Sequence, residues 1–139
     1  MKANDFVTFA LKSPLHVMMG DVMLLTVTGR KTGRKISLPV GYYQDGNALW
    51  VISSRDRTWW RNLAHGGEVE MRLHGRDLKG YGEVILDTAD VAAQLGQYVR
   101  RMPLSVRSLG VHVENGAPNC DDVARVAKER LFVRICIVG

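Results

Sequence analysis

Between Val22 and Leu86, five short segments, each β-branched or alternating apolar with polar, follow one another across glycine-bearing turns. Parallel neighbours need a connecting segment of about a dozen residues or more, so a run of this kind pairs antiparallel, hairpin by hairpin. Val22 to Thr28 is apolar on both faces and predicts a strand buried on both sides. Gly29-Arg30-Lys31-Thr32-Gly33 turns the chain into a second strand, where Ile36, Leu38, Val40 and Tyr42 alternate with Lys35, Ser37, Pro39 and Gly41. Pro39 has no N–H to give a ladder, so this strand is expected at an edge, a bulge or a bend. Asp45-Gly46 makes the next hairpin and Asn47 to Ser53 the third strand. After Arg55-Asp56-Arg57, Thr58 is placed to cap a helix from Trp59 to His65 that Gly66-Gly67 stops. Val69, Met71 and Leu73 mark a half-exposed fourth strand, and Gly75-Arg76 leads into a fifth that ends near Leu86.

The flanking segments read as helices and one returning strand. A helix carrying Phe6, Phe9 and Leu11 is expected in the first twenty residues, broken near Ser13-Pro14. Asp87-Thr88 caps a second, with Val91, Leu95, Tyr98 and Met102 at helical spacing and Arg100 and Arg101 at its negative end, before Pro103 stops it. Leu104 to Pro118 carries a poor signal. Asp121-Asp122 can start a last short helix, and Leu131 to Val138 reads as a buried sixth strand. The expected fold is therefore mainly β with α: a six-stranded antiparallel barrel with helices outside. At 139 residues, one domain spanning 1–139 is expected.

Charge is concentrated rather than spread. Lys and Arg number 19 against 14 Asp and Glu, but Arg30, Lys31, Arg34 and Lys35 fall within six residues, and without them the chain is close to neutral. One compact anion site fits that pattern better than a nucleic-acid-coating or membrane-coating surface. Cys120 and Cys136 lack the spacing of a metal site, so no metal is expected and reduced thiols are. No signal peptide and no apolar run of membrane-spanning length occurs, which leads to the expectation of a cytoplasmic protein without a transmembrane segment.

Signatures of side-chain catalysis are missing. There is no nucleophile elbow, zinc-protease motif or phosphate-binding loop, and His16, His65, His74 and His112 stand far apart without evident acid partners. A chain without its own reactive constellation borrows one from a cofactor. In Thr28-Gly29-Arg30-Lys31-Thr32-Gly33-Arg34-Lys35, glycines, hydroxyls and cations together can bind phosphate, although the same residues fit a solvated hairpin turn. Ser53-Ser54-Arg55 and Trp59-Trp60 can offer hydrogen bonds and a wall to a planar heterocycle, although an indole here can equally pack the helix on the barrel.

In combination these segments resemble a known family. The run Leu24-Leu25-Thr26-Val27-Thr28-Gly29-Arg30-Lys31-Thr32-Gly33, then Pro39, Tyr42, Asp45-Gly46, Ser53-Ser54-Arg55 and Trp59-Trp60-Arg61-Asn62-Leu63, is similar to the deazaflavin (coenzyme F-420)-dependent nitroreductase or quinone reductase family. The likeness covers about Val22 to Leu86. It implies a split β-barrel and an oxidoreductase that passes a hydride from reduced deazaflavin to a quinone, nitro compound or other electron-poor acceptor. It implies cofactor binding by Gly29, Arg30, Lys31, Thr32, Gly33 and Arg34 at the anionic tail. Pro39, Ser53, Ser54, Arg55 and Trp59 would face the ring. Ile36 stands where the family often has a basic residue. No catalytic side chain is assigned; the proton could come from solvent or from Tyr42, Tyr43 or Tyr98. FMN is the alternative cofactor, a non-catalytic flavin or deazaflavin binder the alternative role, and a homodimer is possible.

Overall fold

The computed structural model describes residues 21–102 and 105–138. The helix expected in the first twenty residues and the stop at Pro103 lie outside them. Eight strands occur among the described residues: β1 (Asp21–Thr28), β2 (Lys35–Asp45), β3 (Ala48–Ser54), β4 (Gly67–Leu73), β5 (Arg76–Ile85), β6 (Val113–Glu114), β7 (Ala117–Pro118) and β8 (Arg130–Val138). The α-helices are α1 (Thr88–Arg101), α2 (Ser105–Leu109) and α3 (Cys120–Glu129). Six strands close into an antiparallel barrel in the order β1-β2-β3-β8-β5-β4, so the returning strand fills the place between β3 and β5. None of the described helices is long and apolar enough to cross a membrane.

One face of each strand fills the barrel. Met23, Leu25 and Val27 of β1 meet Leu49, Val51, Val69, Met71, Leu131, Val133 and Ile135 in a single interior cluster. The double burial expected for β1 is corrected here: Leu24 and Thr26 are only half-buried. A closed barrel has one interior, and the described helices lie over other strands. Those helices cover the opposite side, where Val91, Leu95, Tyr98 and Val99 of α1 and Val126 of α3 bury Tyr43, Trp50 and Phe132. Asp87 caps α1 through its carboxylate, and α3 starts at Cys120, one residue before the expected Asp121, capped by Asn119, which accepts from Asp122 N. The segment with a poor signal holds α2 and a β6–β7 hairpin, turned by Asn115 and Gly116 at φ of 52° and 77°.

The strand carrying Pro39 is paired unequally. Eight residues of β2, Lys35 to Tyr42, register with β1, but only Tyr43 to Asp45 register with β3. From Lys35 to Tyr42 the other edge of β2 has no strand partner among the described residues. The barrel is split there, and proline is tolerated at the split.

Candidate functional site

The basic turn lies at one end of the barrel, where β1 stops, β2 begins and β3 ends. Gly29 N donates to Arg34 O at 2.7 Å, and Gly33 N to Gly29 O at 2.9 Å. Gly33 has φ of +70°, and a Cβ on Gly29 would sit 3.0 Å from Thr32 Oγ1, so both glycines are demanded by the turn's geometry. Thr32 is held inside the turn, its Oγ1 accepting from Arg34 N at 3.2 Å. Lys35 pairs with Glu70 at 2.6 Å, which lowers the Glu70 pKa. No carboxylate lies within ion-pairing distance of Arg30, Lys31 or Arg34 among the described residues. Ile36 is exposed beside them.

A second turn closes this end. Trp59–Leu63 forms a 3-10 helix, not the expected α-helix through His65. Arg61 N donates to Thr58 O and Ala64 N to Arg61 O, each three residues back, and Thr58 makes no side-chain cap. Packing explains the tighter winding. Leu63 drops onto the cross-strand pair Gly67–Gly82, where added Cβ atoms would lie 3.2 and 3.1 Å from its methyls. Two glycines in register make the socket, and the turn winds to reach it.

The strand end and this turn are tied together. Trp59 Nε1 donates to Ser53 Oγ at 3.1 Å, and Ser53 Oγ donates to Ser54 O at 3.2 Å. Ser54 Oγ donates to Asp56 at 2.5 Å. The Arg55 guanidinium spends itself on carbonyls: Nε on Arg130 O at 2.8 Å, Nη2 on Leu86 O at 2.7 Å and Ala127 O at 3.1 Å. Arg55 thus clasps the end of β3 to β8 and α3. Pro39, exposed on β2, lies along the split.

The site's electrostatics suit an oxygen-rich anion. Among the described residues, no carboxylate neutralises Arg30, Lys31 or Arg34. In the neighbouring turn, buried Trp60 Nε1 has no hydrogen-bond partner among the described residues, and Arg61 stacks on its ring at 5.5 Å. A groove of about 290 Å³ also starts at Thr28, on the outer face of β1, β4 and β5, but Glu68 and Glu70 line it. An anion entering there would meet two carboxylates and one cation, Lys79. The split is the better direction.

The three tyrosines weighed as proton donors lie apart from this end. Tyr43 and Tyr98 belong to the helix-side core, ring centroids 5.7 Å apart, and Gln94 donates to the Tyr43 hydroxyl. Burial raises the Tyr98 pKa to about 12. Tyr42 stands at the far end of the barrel, its hydroxyl 3.3 Å from His74 Nε2. Among the described residues no three His, Cys, Asp or Glu side chains group as a metal site. One residue of the site had no assigned role in the sequence, Asn62, which links the two turns through its carboxamide. A short amide within the Trp-rich turn was the only local signal.

Comparison with known proteins follows the same geometry. The model of a family described as F420H(2)-dependent quinone reductase matches residues 10–115. No curated protein matches the sequence. Among solved structures, one titled "F420 Reductase" aligns with a TM-score of 0.52 at 14% identity, over 92% of this chain and 94% of its own. A structure titled putative pyridoxamine 5'-phosphate oxidase, from Listeria innocua, aligns with a TM-score of 0.56 at 8% identity, over 100% and 95%. A general stress FMN/FAD binding protein from Xanthomonas citri gives 0.54 at 15% identity, over 86% and 76%. At such identities these structures speak for the split-barrel fold alone.

Proposed function

Since this chain belongs to the F420H(2)-dependent quinone reductase family, we propose that it binds coenzyme F-420 and reduces a quinone, nitro compound or other electron-poor organic acceptor. The observation that carries this reading is the trio Arg30, Lys31 and Arg34, without carboxylate partners among the described residues, at the open end of the split between β2 and β3. Charge-assisted bonds from these side chains suit the phosphate and glutamyl tail of the coenzyme. The ring then lies along the split, between Pro39 on one wall and Ser53, Ser54 and the Trp59 turn on the other. Arg55 contributes by holding that second wall through its three carbonyl bonds. When bound, the reduced coenzyme supplies the hydride. The chain's own residues bind, orient and exclude water, so rate depends on holding donor and acceptor in contact more than on any one acid or base. Tyr43 and Tyr98 lie in the helix-side core and Tyr42 at the far end of the barrel, which makes solvent the simplest proton source.

The test is a fluorescence titration of the full chain with oxidised F-420 and with FMN, followed by F-420H2 oxidation in the presence of a soluble quinone. F-420 is expected to bind more tightly and to be turned over. FMN binding ten-fold tighter would move the chain to a flavin-type split barrel. Tight F-420 binding with no turnover across a panel of acceptors would make it a carrier.

A further inference from the structure

We propose that Asn62 is a positioning residue that holds the basic turn in anion-binding register with the Trp59 wall. The inference rests on the function proposed above and adds a residue with no role in it so far. Asn62 Oδ1 accepts from the backbone N–H of Arg30 at 3.1 Å, and its Nδ2 donates to Trp59 O at 3.0 Å. Only one orientation of the carboxamide satisfies both, because a flip sets donor against donor and acceptor against acceptor.

The bond to Arg30 crosses 32 residues of sequence, whereas the bonds that shape the turn are internal to Gly29–Arg34. The other ties from the turn to the rest of the protein are weaker as position-setters. Arg30 Nη1 reaches Arg61 O at the long distance of 3.5 Å. Lys35 and Glu70 form a pair on flexible stems, both well exposed. Among the described residues, Asn62 is the one side chain that bridges the turn's backbone to another backbone segment. Trp59 continues the chain of contacts, since its Nε1 is fixed on Ser53 Oγ at the end of β3. Tail site and ring site, far apart in sequence, are thus spaced by one side chain.

Removing that side chain leaves every cation in place. The long-range attraction for an anionic ligand therefore persists, while the cost of ordering the turn returns at binding. In Asn62→Ala the dissociation constant for F-420 is expected to rise about ten-fold with the slope of log Kd against log salt unchanged, and the KM for reduced F-420 rises in step while the KM for the quinone stays constant. Arg30→Ala with Lys31→Ala lowers the salt slope instead. Binding is measured well below the variant's melting temperature, so a general loss of stability does not enter. If Asn62→Ala fails to fold, Asn62→Ser, polar but too short to span both partners, is read the same way. Wild-type binding with an unchanged Kd in the folded variant overturns the inference, as does a Kd change accompanied by a lower salt slope. Failure of the wild-type chain to bind F-420 overturns the proposed function and this inference with it.

Discussion

The two ends of the barrel are built by different means. At the far end, Asp45-Gly46 and His74-Gly75 reverse the chain in tight turns, with Gly46 at φ of 61°, His74 at 50° and Gly75 at 75°. Gln44 Nε2 closes onto Gly46 O, two residues away. At the near end the hydrogen bonds that matter span 31 to 75 residues: Arg30 to Asn62, and Arg55 to Leu86 and Arg130. The far-end turns reverse on local chemistry, with Tyr42–His74 and Arg101–Gln44 as tertiary ties beside them. Where the chain has to present cations beside an open split, tertiary bonds hold the backbone in place.

Breaking the near end should therefore cost more than breaking the far end. Leu63→Ala empties the socket over Gly67 and Gly82 and should lower unfolding free energy by about 2–5 kcal/mol, read from denaturant midpoints. Arg30→Ala with Lys31→Ala should leave stability nearly unchanged and weaken F-420 binding by about a hundred-fold, near 2.7 kcal/mol, with a smaller salt slope. An unchanged dissociation constant would reduce the turn to solvated charge. At the far end, Gly46→Ala meets no neighbour within 4 Å and bears only the strain of its positive φ, so about 1–2 kcal/mol of stability and no change in F-420 binding are expected.

The smallest effects should come from the helix side. Burial raises Tyr98 from 10.0 to about 12, so the folded state keeps the phenol neutral where the unfolded state ionises it. Its contribution is whole below pH 10 and is lost as pH rises from 10 toward 12; Tyr98→Phe should flatten that limb of the stability profile. Asp122 acts in the other direction. Its backbone and side-chain bonds to His112 depress its pKa, so its contribution is present above the ordinary carboxylate range and fades as pH falls through the lowered value. Asp122→Asn should lower stability at neutral pH and flatten the acid limb, and turnover with a soluble quinone should move less than two-fold in either variant.

Much of this plan was legible in the chain because it depends on neighbours in sequence. The alternation in β2 to β5, the glycines of the turns and the Asp87 cap are short-range patterns, and each corresponds to an observed element. Pro39 pointed to an edge, a bulge or a bend, and from Lys35 to Tyr42 the β3 side of β2 is an edge among the described residues. The cationic run was visible for the same reason. What the sequence left open was decided by groups brought together only on folding. The 3-10 winding of Trp59–Leu63 follows from a socket made by two glycines on different strands. The outer face of β1 is only half-buried because the described helices pack over β3 and β8. Asn62 and Arg55 stand in recognisable segments, but the sequence did not show what they hold, since their partners are backbone carbonyls and an amide, which every residue type carries. A side-chain bond to a distant backbone leaves no pattern in the chain. Sequence therefore determined which residues can attract an anion, and tertiary structure decided which of them lack a carboxylate partner among the described residues and what holds them there.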